Sequence, residues 1–113
     1  MTDVELAPGT REIVVAGELD LAVADQLKAA LEECRGHSTV LINLDRCDFI
    51  DSTGIAVIVF AHQRLLESGG RVAVFAPNDQ VQRVLGLTGL TGNGLVFKTR
   101  DDALDESVAS AGA

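Results

Sequence analysis

The chain has 113 residues, 47% of them hydrophobic and 4% aromatic, and its 17 acidic side chains against 9 Lys and Arg give a formal charge of -8. That much aliphatic material in one domain's length of chain excludes disorder as the default state. An acidic chain with no Lys/Arg cluster, and with no Trp or Tyr on which bases could stack, is not built to hold nucleic acid.

A weak first strand over residues 4–7 leads into Pro8-Gly9 and is expected to pair with a second over 12–16. Asp20 then stands where a helix cap belongs. Ala24, Leu27, Leu31 and Cys34 fall on one face of the helix that follows, and Gly36 is placed to end it. The β-branched run 39–44 predicts a third strand. From about Ser52 to Ser68 the spacing predicts a second helix, stopped by Gly69-Gly70.

The first half of that helix, residues 55–61, is apolar on every side and rich in β-branched residues. Propensity alone would allow a strand there, but Ile58, Leu65 and Leu66 continue a helical spacing over about four turns. A helix packed on one sheet face needs only one apolar stripe, so the turn carrying Ile55 and Val59 is expected to serve a partner as well as the core. Residues 71–76 form a fourth strand. A third helix follows Pro77, with Asn78 as cap, Val81, Val84 and Leu85 inward and Gly86 as its stop. A last short strand lies at 95–97, and a fourth helix starts near Thr99 and uses Leu104 and Val108.

This alternation predicts an α/β fold: one domain over 1–113, with a mixed, mostly parallel sheet of about five strands and about four packed helices. Its core runs from about 4 to 108, and 109–113 are expected to fray. No run of eighteen apolar residues is present, and Met1 leads into Thr2-Asp3-Val4-Glu5, so neither a membrane span nor a signal peptide is expected. Cys34 and Cys47 show no metal-ligand spacing, which points to a reducing cytoplasm, with Cys34 in the core and Cys47 more open in its loop.

Chemistry concentrates at Asp45-Arg46-Cys47-Asp48-Phe49-Ile50-Asp51-Ser52-Thr53-Gly54, between the third strand and the second helix. Ser52 sits where the helix begins, so its hydroxyl is expected to cap free N–H groups, and Gly54 permits close approach in the first turn. A hydrolytic role for Ser52 lacks the G-x-S-x-G elbow, and the candidate bases His37 and His62 read as surface residues. Asp51 lacks the acidic pair and lysine of a phosphoacceptor aspartate. Asp45, Asp48 and Asp51 lack the spacing of a calcium loop. Gly69-Gly70-Arg71 is no phosphate cradle either.

Four segments, in order and spacing, carry a resemblance: Gly17-Glu18-Leu19-Asp20, Asp48-Phe49-Ile50-Asp51-Ser52-Thr53-Gly54, Gly69-Gly70, and Val84-Leu85-Gly86-Leu87-Thr88-Gly89-Leu90. Together they resemble the STAS family, and within it the free-standing anti-sigma factor antagonists, from the second strand through the last helix. The resemblance implies a non-enzymatic partner switch. The unmodified protein binds an anti-sigma factor that is also a serine kinase, so releasing a sigma factor. The kinase phosphorylates a serine, which by position is Ser52, and a separate phosphatase of the PP2C type restores the binding form.

The resemblance also implies a partner surface that includes Glu18, Asp20, Asp51, Thr53 and Gly54, to which the apolar turn adds Ile55 and Val59. No cofactor of its own is expected, because ATP and magnesium come with the kinase. STAS-like chains that serve as structural or regulatory subunits of lipid-transport or stress-signalling assemblies form the alternative. Two features depart from the pattern: Ala56 stands where many relatives have a second glycine, and Gly92-Asn93-Gly94 loosens the connection to the last strand.

Overall fold

The structure is a computed structural model that describes residues 2–7, 9–34, 38–76, 78–87 and 95–104, with backbone alone for 2–7 and for Leu87. Its order is β1(Thr2–Ala7), β2(Thr10–Val14), β3(Gly17–Leu19), α1(Leu21–Glu33), β4(Thr39–Asn43), β5(Cys47–Ile50), α2(Ser52–Glu67), β6(Arg71–Phe75), α3(Asp79–Leu87), β7(Val96–Phe97) and α4(Arg100–Leu104). The expectations placed on Gly36, His37, Pro77, residues 88–94 and Val108 lie outside the described residues.

The main sheet has five strands in the order β1-β2-β4-β6-β7. β1 is antiparallel to β2, as the short connection through Gly9 requires, and β2, β4, β6 and β7 are parallel. Parallel strands need crossover connections, which α1, α2 and α3 supply. The central strand β4 reads as an unbroken apolar run because both of its faces are covered. Val40 and Ile42 face the larger core under α1, α2 and α3, with Ile13, Val72, Val74, Leu27, Ile58 and Leu85. Leu41, Ala73 and Phe97 face the other side, where Ala103 of α4 covers them.

That second face also holds a buried charge. Glu12, 7% exposed, receives hydrogen bonds from Arg100 at 2.7 Å and from the Asn43 side chain at 3.0 Å. Both carboxylate oxygens are thereby satisfied, the condition under which a buried acid is tolerated.

A second sheet of two parallel strands, β3 and β5, was not expected from the sequence, and it carries the Gly-Glu-Leu and Cys-Asp-Phe-Ile segments. Each strand is too short for alternation to show, so only its pairing reveals it. Three further expectations are corrected. Cys47 is fully buried in β5, where its thiol donates to the Phe49 carbonyl, and burial pushes that thiol above its ordinary range. Gly86 does not stop α3, which runs through Leu87. His62 is half-buried, and its Nδ1 accepts the Val72 N–H at 3.2 Å, tying α2 to β6.

The expected helix signals act as chain-local chemistry should. Asn78 accepts from the N–H groups of Gln80 and Val81, and Thr99 accepts from Asp102. α2 ends with Gly69 at φ +85°, its N–H donating to Leu66 O while Gly70 N–H donates to Leu65 O. This paired arrangement needs a residue that tolerates the left-handed region, and Gly69 supplies it.

Candidate functional site

β3 and β5 lie side by side in parallel, and each runs straight into a helix. Leu19 pairs with Ile50, and the Asp51 N–H donates to Leu19 O at 3.4 Å, so Asp20 and Asp51 occupy equivalent places at the two strand ends. Asp20 caps α1, its Oδ1 accepting from Val23 N–H at 3.1 Å. Asp51 caps α2 in the same way, its Oδ1 accepting from Gly54 N–H at 3.0 Å. The small sheet therefore brings two helix N-termini together, each with a carboxylate against its positive end.

This corrects the expected role of Ser52. Asp51 is the cap, with extended backbone, and Ser52 is the first residue inside α2. The Ser52 side chain is exposed, and its hydroxyl makes no hydrogen bond among the described residues. An N-cap acceptor must precede the helix by one residue, so the Asp takes the work and the hydroxyl stays unengaged.

Gly54 is buried where the first turn of α2 meets the end of β3. A Cβ on it would lie 2.6 Å from Leu19 Cγ and 3.2 Å from the Leu19 carbonyl oxygen. The glycine thus sets how closely α2 approaches β3, and with it the spacing of the two caps. Thr53 is half-buried beside it.

The apolar turn is less open than the sequence implies. Ile55 is only 8% exposed and belongs to the core, so it is corrected from surface to packing residue. Val59 is half-buried and packs on the same core. The outward positions are Ala56 and Phe60, the latter lying under the Arg64 guanidinium at 5.5 Å. The turn is apolar all round because one side meets the sheet, one meets α1, and the remainder holds Ala56.

Around Ser52 the surface is acidic with two apolar side chains that sequence reasoning missed. Glu18 and Asp48 are exposed, and Asp20 and Asp51 are partly so. Leu21, the first residue of α1 as Ser52 is of α2, is 65% exposed, and Phe49 is 48% exposed. The signal for Phe49 lies in the strand register. Gly17 pairs with Cys47 but Glu18 pairs with Phe49, so Asp48 is an extra residue in β5. This bulge breaks the alternation: Cys47 and Ile50 point in, while Asp48 and Phe49 both point out.

Among the described residues no general base or metal-ligand group is placed beside Ser52. His62 is ten residues further along α2, about 15 Å at the helical rise, with its Nδ1 already engaged. Among the described residues no three His, Cys, Asp or Glu side chains are grouped as metal ligands. A groove of about 480 Å³ lies between α1 and α2, lined by Lys28, Leu31, Val57, Phe60, Ala61 and Leu65 among others, and does not include Ser52. Ser52 stands on open surface, where a second macromolecule can reach it. Among the described residues no helix is long and apolar enough to cross a membrane.

A mixed sheet with helices on both faces thus carries two aspartate-capped helices side by side, with an exposed serine at the head of the second. The STAS domain family model matches residues 1–103, and the chain belongs to that family. Within it the chain is similar to the anti-sigma-B factor antagonist of Listeria monocytogenes, 32% identical over 71% of this chain and 72% of the relative. It is also 28% identical to the anti-sigma F factor antagonist of Paenibacillus polymyxa, over 87% and 86% of the two chains. The fold matches that of the anti-sigma factor antagonist SpoIIAA of Bacillus in both of its forms. The unphosphorylated form gives a TM-score of 0.81 at 23% identity over 96% of each chain. The phosphorylated form gives 0.73 at 24% identity over 94% and 97%.

Proposed function

We propose that this chain is an anti-sigma factor antagonist that works as substrate and competitor without catalysing a reaction. Its unphosphorylated form binds an anti-sigma factor with serine kinase activity and so releases a sigma factor. Phosphorylation of Ser52 ends the binding, and a PP2C-type phosphatase renews it. The observation that carries this reading is the exposed Ser52 hydroxyl at the head of α2, free of the capping role that Asp51 fills.

Phosphoryl transfer is mostly positioning and charge stabilisation, so magnesium, base and phosphate clamp can all reside in the partner. This chain supplies an acceptor at a rigid helix start. To accept the phosphoryl group, the serine oxygen must stand within about 3.5 Å of the γ-phosphate. After transfer the same geometry sets phosphoserine against the nucleotide's remaining phosphates. With Asp51 and Asp48 beside it in sequence and Arg46 the nearest basic residue, the chain has little to offset that charge.

The test is incubation with ATP, magnesium and recombinant kinase-type anti-sigma factors of the same organism, read by mass spectrometry and by release of the sigma factor. Phosphate at Ser52 alone, none in Ser52→Ala, and sigma release by both unmodified proteins is the expected result. Stable binding with no phosphate incorporated would replace this reading with that of a structural STAS subunit.

A further inference from the structure

The Asp48 bulge turns Phe49 away from the core. Regular alternation in β5 would turn Phe49 to the side of Cys47, which is fully buried; the extra residue turns it into solvent instead. Burying a phenylalanine stabilises a fold, so one left half-exposed by a local irregularity forgoes part of that stability. Leu21 is exposed at the equivalent helix start next door, and Glu18, the register partner of Phe49, is exposed with it. Two large apolar side chains thus stand exposed on the β3–β5 strands and the helix starts that follow them, segments that also carry Glu18, Asp20, Asp48 and Asp51.

We propose that Phe49, turned outward by the Asp48 bulge, and Leu21 are the apolar anchors of the docking surface, and that they seat in a cleft of the kinase with an apolar floor and a Lys/Arg rim. This deepens the proposed function and rests on it. The acidic side chains of these segments select the basic rim, a chemistry that a nucleotide-binding partner already needs for its phosphates. The anchors hold the affinity, and Ser52 contributes the switch. Central aromatic residues ringed by polar groups are the arrangement in which few side chains dominate binding.

The experiment measures affinity for the ADP-loaded kinase-type anti-sigma factor and the kinetics of Ser52 phosphorylation, for the full chain and for Phe49→Ala and Leu21→Ala. Phe60→Ala serves as control, being 52% exposed but about 12 Å further along α2. Phe49→Ala is expected to weaken binding at least thirtyfold and Leu21→Ala about tenfold, with KM raised and kcat unchanged. Phe60→Ala should bind as the parent does. Both anchors are exposed, so melting temperatures should hold. Should Phe49→Ala lower the melting temperature, Asp48→Lys supplies the independent reading: slower association and a shallower salt dependence at unchanged fold. A parent chain that is phosphorylated and binds while Phe49→Ala, Leu21→Ala and Asp48→Lys all match it within twofold overturns the anchor and leaves the proposed function standing. A parent that neither binds nor accepts phosphate overturns the function itself.

Discussion

At the residue scale the site turns on a one-position difference between Asp51 and Ser52. Because Asp51 holds the cap bond to Gly54 N–H, Asp51→Ala should cost about 1 kcal/mol of stability, while Ser52→Ala should stay within about 0.5 kcal/mol of the parent. Urea melts of the two variants check this, and equal losses would return the cap to Ser52. His62 gives a second residue-scale prediction. Burial, and next the charge of Arg71, hold its imidazole below its ordinary value, and the neutral ring accepts the Val72 N–H. A depressed histidine value means that the unfolded chain binds the proton first, so stability is fully present above about pH 6.5 and falls as pH drops below it. Most carboxylates titrate only below about pH 5, which leaves the window between for His62. Melts across that window should show the slope, and His62→Gln should flatten it.

At the scale of elements, the fit of α2 against β3 decides where the caps stand. Gly54→Ala would drive a methyl into Leu19, which is fully buried and meets it with its backbone carbonyl as well as its side chain. Overpacking of this kind costs about 1–3 kcal/mol, against which the helical preference of Ala over Gly returns at most about 1. The variant should be destabilised, and its amide spectrum should shift at Asp20 and Val23 as well as at Asp51, because α2 must move off β3. Ile55 behaves as an element residue too. Ile55→Ser should lower the melting temperature sharply, since it leaves a cavity and a hydroxyl in the core, whereas Ala56→Ser on the outer side of the same turn should change little. Equal tolerance at both positions would make the whole turn surface.

At the scale of the whole molecule, phosphorylation is expected to act at the surface without remaking the fold. The phosphate adds about 1.5 to 2 negative charges to an exposed side chain. Two charges facing one negative charge of the partner's nucleotide at about 6 Å, in an effective dielectric near 40, give roughly 3 kcal/mol of repulsion, on the order of a hundredfold in affinity. Amide spectra of the two forms should differ only around the starts of α1 and α2, with nearly equal melting temperatures. Shifts spread across the main sheet would replace repulsion with a conformational switch. Both cysteines are buried, and their thiols should resist alkylation until the chain unfolds.

The sequence by itself determined what depends on neighbours along the chain. Asp20, Asn78 and the Gly69-Gly70 pair announced helix ends because capping bonds span only two to five residues, and the β-branched runs announced the sheet because side-chain period is a property of the strand alone. The motif around Ser52 pointed to the candidate site for the same reason, being a run of neighbours along the chain. Only the tertiary structure decided what depends on a second segment: the pairing of β3 with β5, the burial of Cys47 and Ile55, the hydrogen bond from Val72 N–H to His62, and the outward turn of Phe49. Each follows from a contact between residues far apart in sequence, or from a register slip of one residue. A one-residue shift in register exchanges the faces of a strand while leaving its composition unchanged, so no count of residue types along β5 could have told that its phenylalanine faces solvent.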